Sequence, residues 1–404
     1  MLVPMLHSWL RLRQRASTFH RRKAKQQPRY RPALEMLEGR ALPSTFAVTN
    51  VLDHGVGSLR AAMLNVNRDT VNQVDVIDFN IAGRGAHTIN LLSELPVLRH
   101  PVNIDGTSQP GYAGSPLIVL NGSTIAGGGD GMVLDARGYA HAFAGEIQGL
   151  QFTGFSDAIV VTDAASSTPV NAQLLHNVVS LSSGGDGVQV FAGTGSMTAR
   201  IANNRITVGN AGDAMVLVTA GASTSYTVTS NSITANGGGD GIFTNGTGSS
   251  NILTYSANTI RTTGGGDALA LFVSSSSPTR VSVVNNVLST NGLAAGLILS
   301  GGSHFQALVQ GNTFSNDLTG VNVIGNGSTS GVVDLGGGSL GSTGGNNFTS
   351  FHTATDNSFA IGLFNVASGY TITARDNFFS VPPTTVIADG NHDRAAGGSG
   401  SILV

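Results

Sequence analysis

Through the middle of the chain, apolar and polar residues alternate in short runs, each closed by Gly, Asn or Asp. Tyr226-Thr-Val-Thr-Ser, Asn231-Ser-Ile-Thr-Ala and Gly241-Ile-Phe-Thr follow one another, with the turns Asn236-Gly-Gly-Gly-Asp240 and Asn245-Gly-Thr-Gly interleaved. Alternation with a period of two marks β-strands that bury one face, and none of these runs is long enough for a helix. The exception is Gly57–Asn67, where Ser58 stands as N-cap and Leu59, Ala62 and Met63 fall on one face. This predicts a short helix, placed to cover the N-terminal end of whatever the strands build.

The runs repeat. Asn177, Asn204, Asn231, Asn258, Asn286 and Asn312 recur at intervals of 27, 27, 27, 28 and 26 residues, each followed two positions later by Val179, Ile206, Ile233, Ile260, Leu288 or Phe314. A second column, Asp186, Asp213, Asp240 and Asp267, recurs at 27 throughout and extends back to Asp157 and Asp130. Two positions after these aspartates come Val188, Met215, Ile242 and Leu269. Fixed-period self-similarity is the signature of a solenoid. Three strands per period, each stacked on its counterpart about 4.8 Å away, predict an all-β, single right-handed parallel β-helix of about 27 residues per coil, with aligned aliphatic columns as its core. After Asn312 the register loosens through Val332-Val-Asp-Leu-Gly and returns at Gly345-Asn-Asn-Phe348 and Arg375-Asp-Asn-Phe-Phe379 as terminal coils.

Composition changes the picture at the ends. The chain has 404 residues, 55 Gly and no Cys, which excludes a disulfide scaffold and any cysteine metal site or nucleophile. Residues 1–40 hold ten of the 21 Lys and Arg against Glu35 and Glu38, a balance of +8, while the remainder balances to −10 and contains no lysine. A charged block without apolar period builds no core. The expected organisation is a basic leader over 1–43, an N-terminal cap with the first coils over 44–120, β-helix repeats over 121–385 and a flexible tail over 386–404. The acidic body excludes a specific nucleic-acid partner, and no apolar stretch is long enough for a transmembrane helix.

The end of the leader, Leu37-Glu-Gly-Arg-Ala-Leu42, resembles the LEPR-XLL sorting segment of large surface proteins of planctomycete-type bacteria, with Gly39 and Pro43 departing from that pattern. Ser58-Leu-Arg-Ala-Ala62, followed by Ile77-Asp-Phe-Asn80 and Ile104-Asp-Gly-Thr-Ser-Gln-Pro110, resembles the opening of CSLREA-type right-handed β-helix proteins. Gly57 stands where others have Cys, and Ala61 where they have Glu. The resemblance implies a pectin-lyase-like β-helix at the cell surface or outside the cell, and it carries no catalytic residue.

Candidate chemistry is sparse. The Asn column reads as an internal hydrogen-bonded ladder at a turn. The Asp column follows Gly-rich turns, so carboxylates on successive coils approach within about 5 Å and repel by about 3 kcal/mol at an effective dielectric of 20. Asp186, Asp213, Asp240 and Asp267 are therefore the candidate metal ligands, with calcium the cofactor they raise; turn residues facing water are the plainer reading and the one favoured. A polysaccharide lyase or glycoside hydrolase on the same scaffold is the catalytic alternative. It lacks a constellation, because Arg200, Arg205, Arg261 and Arg280 fall in different columns and His141, His176 and His304 are scattered. Asp75 and Asp78 read as turn and strand-edge residues, and Asn121, Asn245, Asn326 and Asn347 head chance glycosylation triplets. The function expected is structural, adhesive or carbohydrate-binding, by a monomer whose partner is a polysaccharide or a cell-envelope component. A flat Ser/Thr/Asn flank would favour binding, and a groove of convergent carboxylates with an Arg would favour catalysis.

Overall fold

The computed structural model describes residues 43–163, 167–182, 184–274, 277–325, 331–351, 358–389 and 400–404. Residues 1–42, with the basic block and the Leu37–Leu42 segment expected to serve as leader and sorting signal, lie outside them. The described chain is a parallel β-solenoid of about 12 coils, about 27 residues each. Three sheets wrap it, with 13, 11 and 10 strands among the described residues, here called sheets A, B and C. Every strand pairs in parallel with its counterparts in the neighbouring coils.

One period shows how the sequence makes a coil. The strand Ser223–Thr229 in sheet A buries Tyr226 and Val228 and turns Ser225 and Thr227 outward. Ser230 then takes a left-handed conformation (φ 56°), which bends the chain into Asn231 and the sheet B strand Ser232–Ala235. Gly237 and Gly238, with φ of 94° and 110°, carry the next corner, and after Asp240 the sheet C strand Ile242–Gly246 closes the triangle. The 27-residue period stacks like on like: Ile206, Ile233 and Ile260 pair across sheet B and are at most 1% exposed. One apolar core runs unbroken from Val48 to Ile402. Its aliphatic columns are the expected ones.

The helix is Leu59–Val66, with the Ser58 side chain accepting a hydrogen bond from Ala61 N–H and with Leu59, Ala62, Met63 and Val66 buried. It packs on the strands Thr45–Val48 and Asp75–Phe79 at the N-terminal end. Arg60 explains the rest of the Ser58–Ala62 signature: its guanidinium donates to Asp53 Oδ1 (2.7 Å), Ser93 O (2.8 Å) and Glu94 O (2.5 Å), tying two loops to the cap.

Towards the C-terminus the spacing stretches to 34 and 31 residues without ending the stack. Buried Asp334 absorbs the first insertion by accepting hydrogen bonds from the N–H groups of Gly336, Gly338, Leu340 and Ser342. The structure differs from the expected tail after 385, because Ile387–Ala388 and Ser401–Leu403 form the last strands of sheets C and A. Ile387, Ala388 and Ile402 are buried, and Asp389 Oδ2 accepts from Ile402 N–H at 2.6 Å. A few apolar residues at the right phase were enough to add a partial coil.

Candidate functional site

The repeated polar residues form two ladders. In the first, the backbone N–H and the Nδ2 of Asn204 both donate to Oδ1 of Asn231, at 2.9 and 3.0 Å, while Nδ2 also donates to Leu174 O at 2.8 Å. The same set repeats from Asn177 through Asn346 to Asn377. The residue before each asparagine is left-handed at every rung, whether His176, Asn203, Ser230, Ala257, Asn285 or Asp376. Asn177 to Asn346 are at most 3% exposed, with amide hydrogens and Oδ1 all bonded. This is the internal ladder expected from the sequence, continued into the terminal coils.

The aspartates stack in the opposite sense. The N–H of Asp213 donates back to Oδ1 of Asp186 (2.9 Å), that of Asp240 to Asp213 (2.7 Å) and that of Asp267 to Asp240 (2.7 Å). Asp157 accepts likewise from Asp186, and Ala295 N–H ends the ladder on Asp267. The carboxylates are half-buried, and for Asp157, Asp213, Asp240 and Asp267 desolvation comes first in raising them. Asp240 is pushed up to about 7, with its neighbours Asp267 and Asp213 adding to burial and the N–H of Asp267 opposing it. Asp213 and Asp267 are raised for the same leading reason. Asp317, buried beside Thr290 and the head of the column, is pushed up to about 8.

These carboxylates do not fit calcium, which takes six to eight oxygens around one centre. Each has Oδ1 committed to a backbone N–H, and Oδ2 of Asp186 accepts from Gln189 Nε2 at 2.8 Å. Among the described residues no three His, Asp or Glu side chains converge to hold a metal. Asp186, Asp213, Asp240 and Asp267 are thus brought together as a stack, one oxygen per rung turned to the backbone, rather than as a cage.

A third column escaped the sequence reading. The residue after each aspartate is Gly131, Ala158, Gly187, Ala214, Gly241 or Ala268 in strict alternation; from Ala158 to Gly241 its N–H donates to the aspartate carbonyl of the next coil, and that of Ala268 donates to Ala295 O. A Cβ on Gly241 would run into Ile260 Cγ2 and Ala268 O. Small residues are required where the corner presses against the sheet B column, and the Asp-Gly/Asp-Ala repeat was visible beforehand as its signal.

The outer faces differ in chemistry. On sheet A, Asn103, Glu146, Gln173, Arg200, Thr227, Thr254 and Ser282 stand in one outward column. Sheet B presents a mixed surface in which Ser and Thr alternate with Arg205, Arg261 and the exposed Val287 and Phe378. Sheet C is largely apolar outward: Phe191, Phe243, Phe272, Ile324 and Phe364 lie on its outer side, with Ala270 and Ile298 packed against Phe243 and Ile324. Its signal was also readable, since Val188-Gln-Val-Phe-Ala and Leu269-Ala-Leu-Phe-Val are nearly continuous apolar runs, the pattern of strands buried on both faces.

Arg200 and Arg280 stand outward on sheet A, Arg205 and Arg261 on sheet B, in four separate columns. None lies on sheet C beside the aspartates. His141, His176 and His304 are exposed. Asp75 is buried 3.6 Å from His100, a pair sequence spacing did not suggest, and burial leads in pushing its carboxyl up. Asp78 stands on the outer face of sheet A, raised by burial and then by Asp105. Of the glycosylation triplets, Asn121 bonds Asn90, Asn245 is exposed on sheet C, Asn347 caps its own turn, and Asn326 lies outside the described residues.

Fold and ladders together define a parallel β-solenoid held by internal hydrogen-bond stacks, with flat outer faces of contrasting polarity. No protein-family model matches the chain, and no curated protein matches it in sequence.

Proposed function

We propose that the chain is an exported or cell-surface solenoid that binds a polysaccharide or another cell-envelope component along the outer face of sheet A. The observation that carries this reading is the in-register polar column from Asn103 to Ser282, flanked by Thr198 and Ser225. A flat row of amides and hydroxyls repeating every 4.8 Å or so offers paired donors and acceptors to an extended chain of sugar hydroxyls. Few of these groups are charged, which suits a neutral or weakly acidic polymer. The separate columns of the arginines give the catalytic alternative no convergent groove.

A glycan array run beside reducing-sugar and unsaturated-uronate assays tests the proposal. The expected result is retention of a polysaccharide without product release, weakened about tenfold by Thr227→Ala with Thr254→Ala. Product release would replace binding by catalysis, and retention indifferent to these two changes would remove sheet A as the binding face. The leader reading is tested apart: a chain beginning at Ala41 should melt like the full chain and fail to leave the native host's cytoplasm, whereas equal secretion would overturn it.

A further inference from the structure

The outer face of sheet C is out of keeping with the rest of the surface. From the strand of Val160 to that of Phe364, two outward residues per coil over eight coils include no charged side chain, on a body that balances to −10. The face is also levelled. Phe243 and Phe272 lie 6.0 Å apart with Ala270, on the strand of Phe272 and paired with Phe243, wholly covered, and the ring of Phe364 lies across Gly362, where a Cβ would collide with it. Phe272 itself remains 38% exposed. An uncharged face on which apolar side chains predominate, interrupted by Thr162, Gln189, Asn245, Ser300 and Asn322, marks an interaction site.

We propose that sheet C is the interface of a homodimer, two copies packing this face against itself. Charge selects the occupant. Two acidic bodies repel on approach, and among the described residues these eight strands of sheet C let them meet without an outward charged side chain, whereas sheets A and B carry Glu146, Arg200, Arg205 and Arg261 outward. A two-fold axis parallel to the solenoid axis also sets the two aspartate columns, each running along the leading margin of its sheet, on opposite edges of the contact. The area agrees with a reversible dimer: eight strands about 4.8 Å apart and two outward columns about 14 Å wide give roughly 500 Å² per copy, or roughly 1,000 Å² in all, the lower bound for a specific interface. Flat sheets pack face to face at about 10 Å, which rings lying over small neighbours permit. Sheets A and B stay outside the contact, so the dimer presents two copies of the polar face and gains avidity for a long polymer.

Sedimentation velocity on the full chain between about 1 and 100 μM is the test, a range that corresponds to about 8 to 5 kcal/mol of association free energy. The wild type should show a reversible monomer–dimer equilibrium, and Phe272→Asp and Asn245→Asp should each weaken it at least tenfold. Asn245 is exposed, so its change leaves folding intact and keeps the test decisive even where Phe272→Asp disturbs the strand. Ile252→Asp, on the outer face of sheet A and 52% exposed, should leave the dimer in place. A wild type that stays monomeric at 100 μM overturns the proposal. So do dimers that survive both sheet C changes, or a monomer that adsorbs to an insoluble neutral polysaccharide through Phe272.

Discussion

The asparagine and aspartate ladders share a period, a stacking distance and the use of Oδ1 as acceptor for a neighbouring N–H, yet one is sealed in the wall and the other stands half in water. The difference lies in the second side-chain atom. An amide nitrogen donates both to the next asparagine and to a carbonyl, so every rung closes its own hydrogen bonds and burial leaves nothing unsatisfied. A carboxylate has a second acceptor and a charge in that place, and the neighbouring rungs supply neither with a donor; Oδ2 of Asp186 takes one from Gln189, outside the column. The aspartates therefore occupy a corner open to water, and Asp213, Asp240 and Asp267 still bear raised pKa values from the part that is buried.

Exchanging the two chemistries breaks the comparison most severely in one direction. Asn231→Asp would turn a carboxylate oxygen towards Ile201 O and the Asn258 amide oxygen, both of which now meet Nδ2. Loss of two buried donors with a charge in their place should cost about 3–5 kcal/mol at pH 7.5 in urea unfolding. An unchanged midpoint would mean that the ladder carries no weight.

The next effect is on pH. Asp240 and Asp317 titrate in the folded chain near 7 and 8, against about 3.9 when unfolded. Between those limits the folded state holds protons the unfolded state has lost, so stability falls as pH rises from about 4 to about 8. Melting midpoints should accordingly be higher at pH 5 than at pH 8. Asp53 and Asp135 work in reverse: burial raises each, but Arg60 and Arg137 outweigh it, and their contribution is lost only below about pH 4. A flat or rising profile from pH 5 to 8 would contradict the desolvation of the column.

The reciprocal exchange is milder. Asp240→Asn keeps an oxygen for the N–H of Asp267 and removes a desolvated charge, so it should stabilise the chain at pH 8 by on the order of 1 kcal/mol and flatten the pH profile. Millimolar calcium should shift neither protein. A calcium-dependent rise in the wild type, absent from the variant, would restore the metal reading. Smallest of all, Ala257→Gly relieves a left-handed alanine ahead of Asn258 and should gain up to about 1 kcal/mol, whereas a loss would show that the Ala257 side chain packs.

Much of this was legible beforehand because a solenoid converts sequence spacing into spatial contact. Equal intervals put Ile206, Ile233 and Ile260 in one column and Asn204, Asn231 and Asn258 in another, whatever the turns look like. Ser58 and the apolar face behind it announced the helix for local reasons alone. The added strands at Ile387–Ala388 and Ser401–Leu403 escaped because two or three apolar residues show no period by themselves; only a stack already in place gives them something to pair with.

By itself, then, the sequence determined which residues share a column, since that depends on intervals along the chain. The tertiary structure decided what each column faces. That Asp240 accepts from the coil after it while Asn231 accepts from the coil before it depends on the direction in which each corner turns its peptide groups. That Phe272 lies outward on sheet C, and not in the core with Leu271 beside it, depends on how three strands close a triangle and assign an inside, a relation no interval in the chain contains.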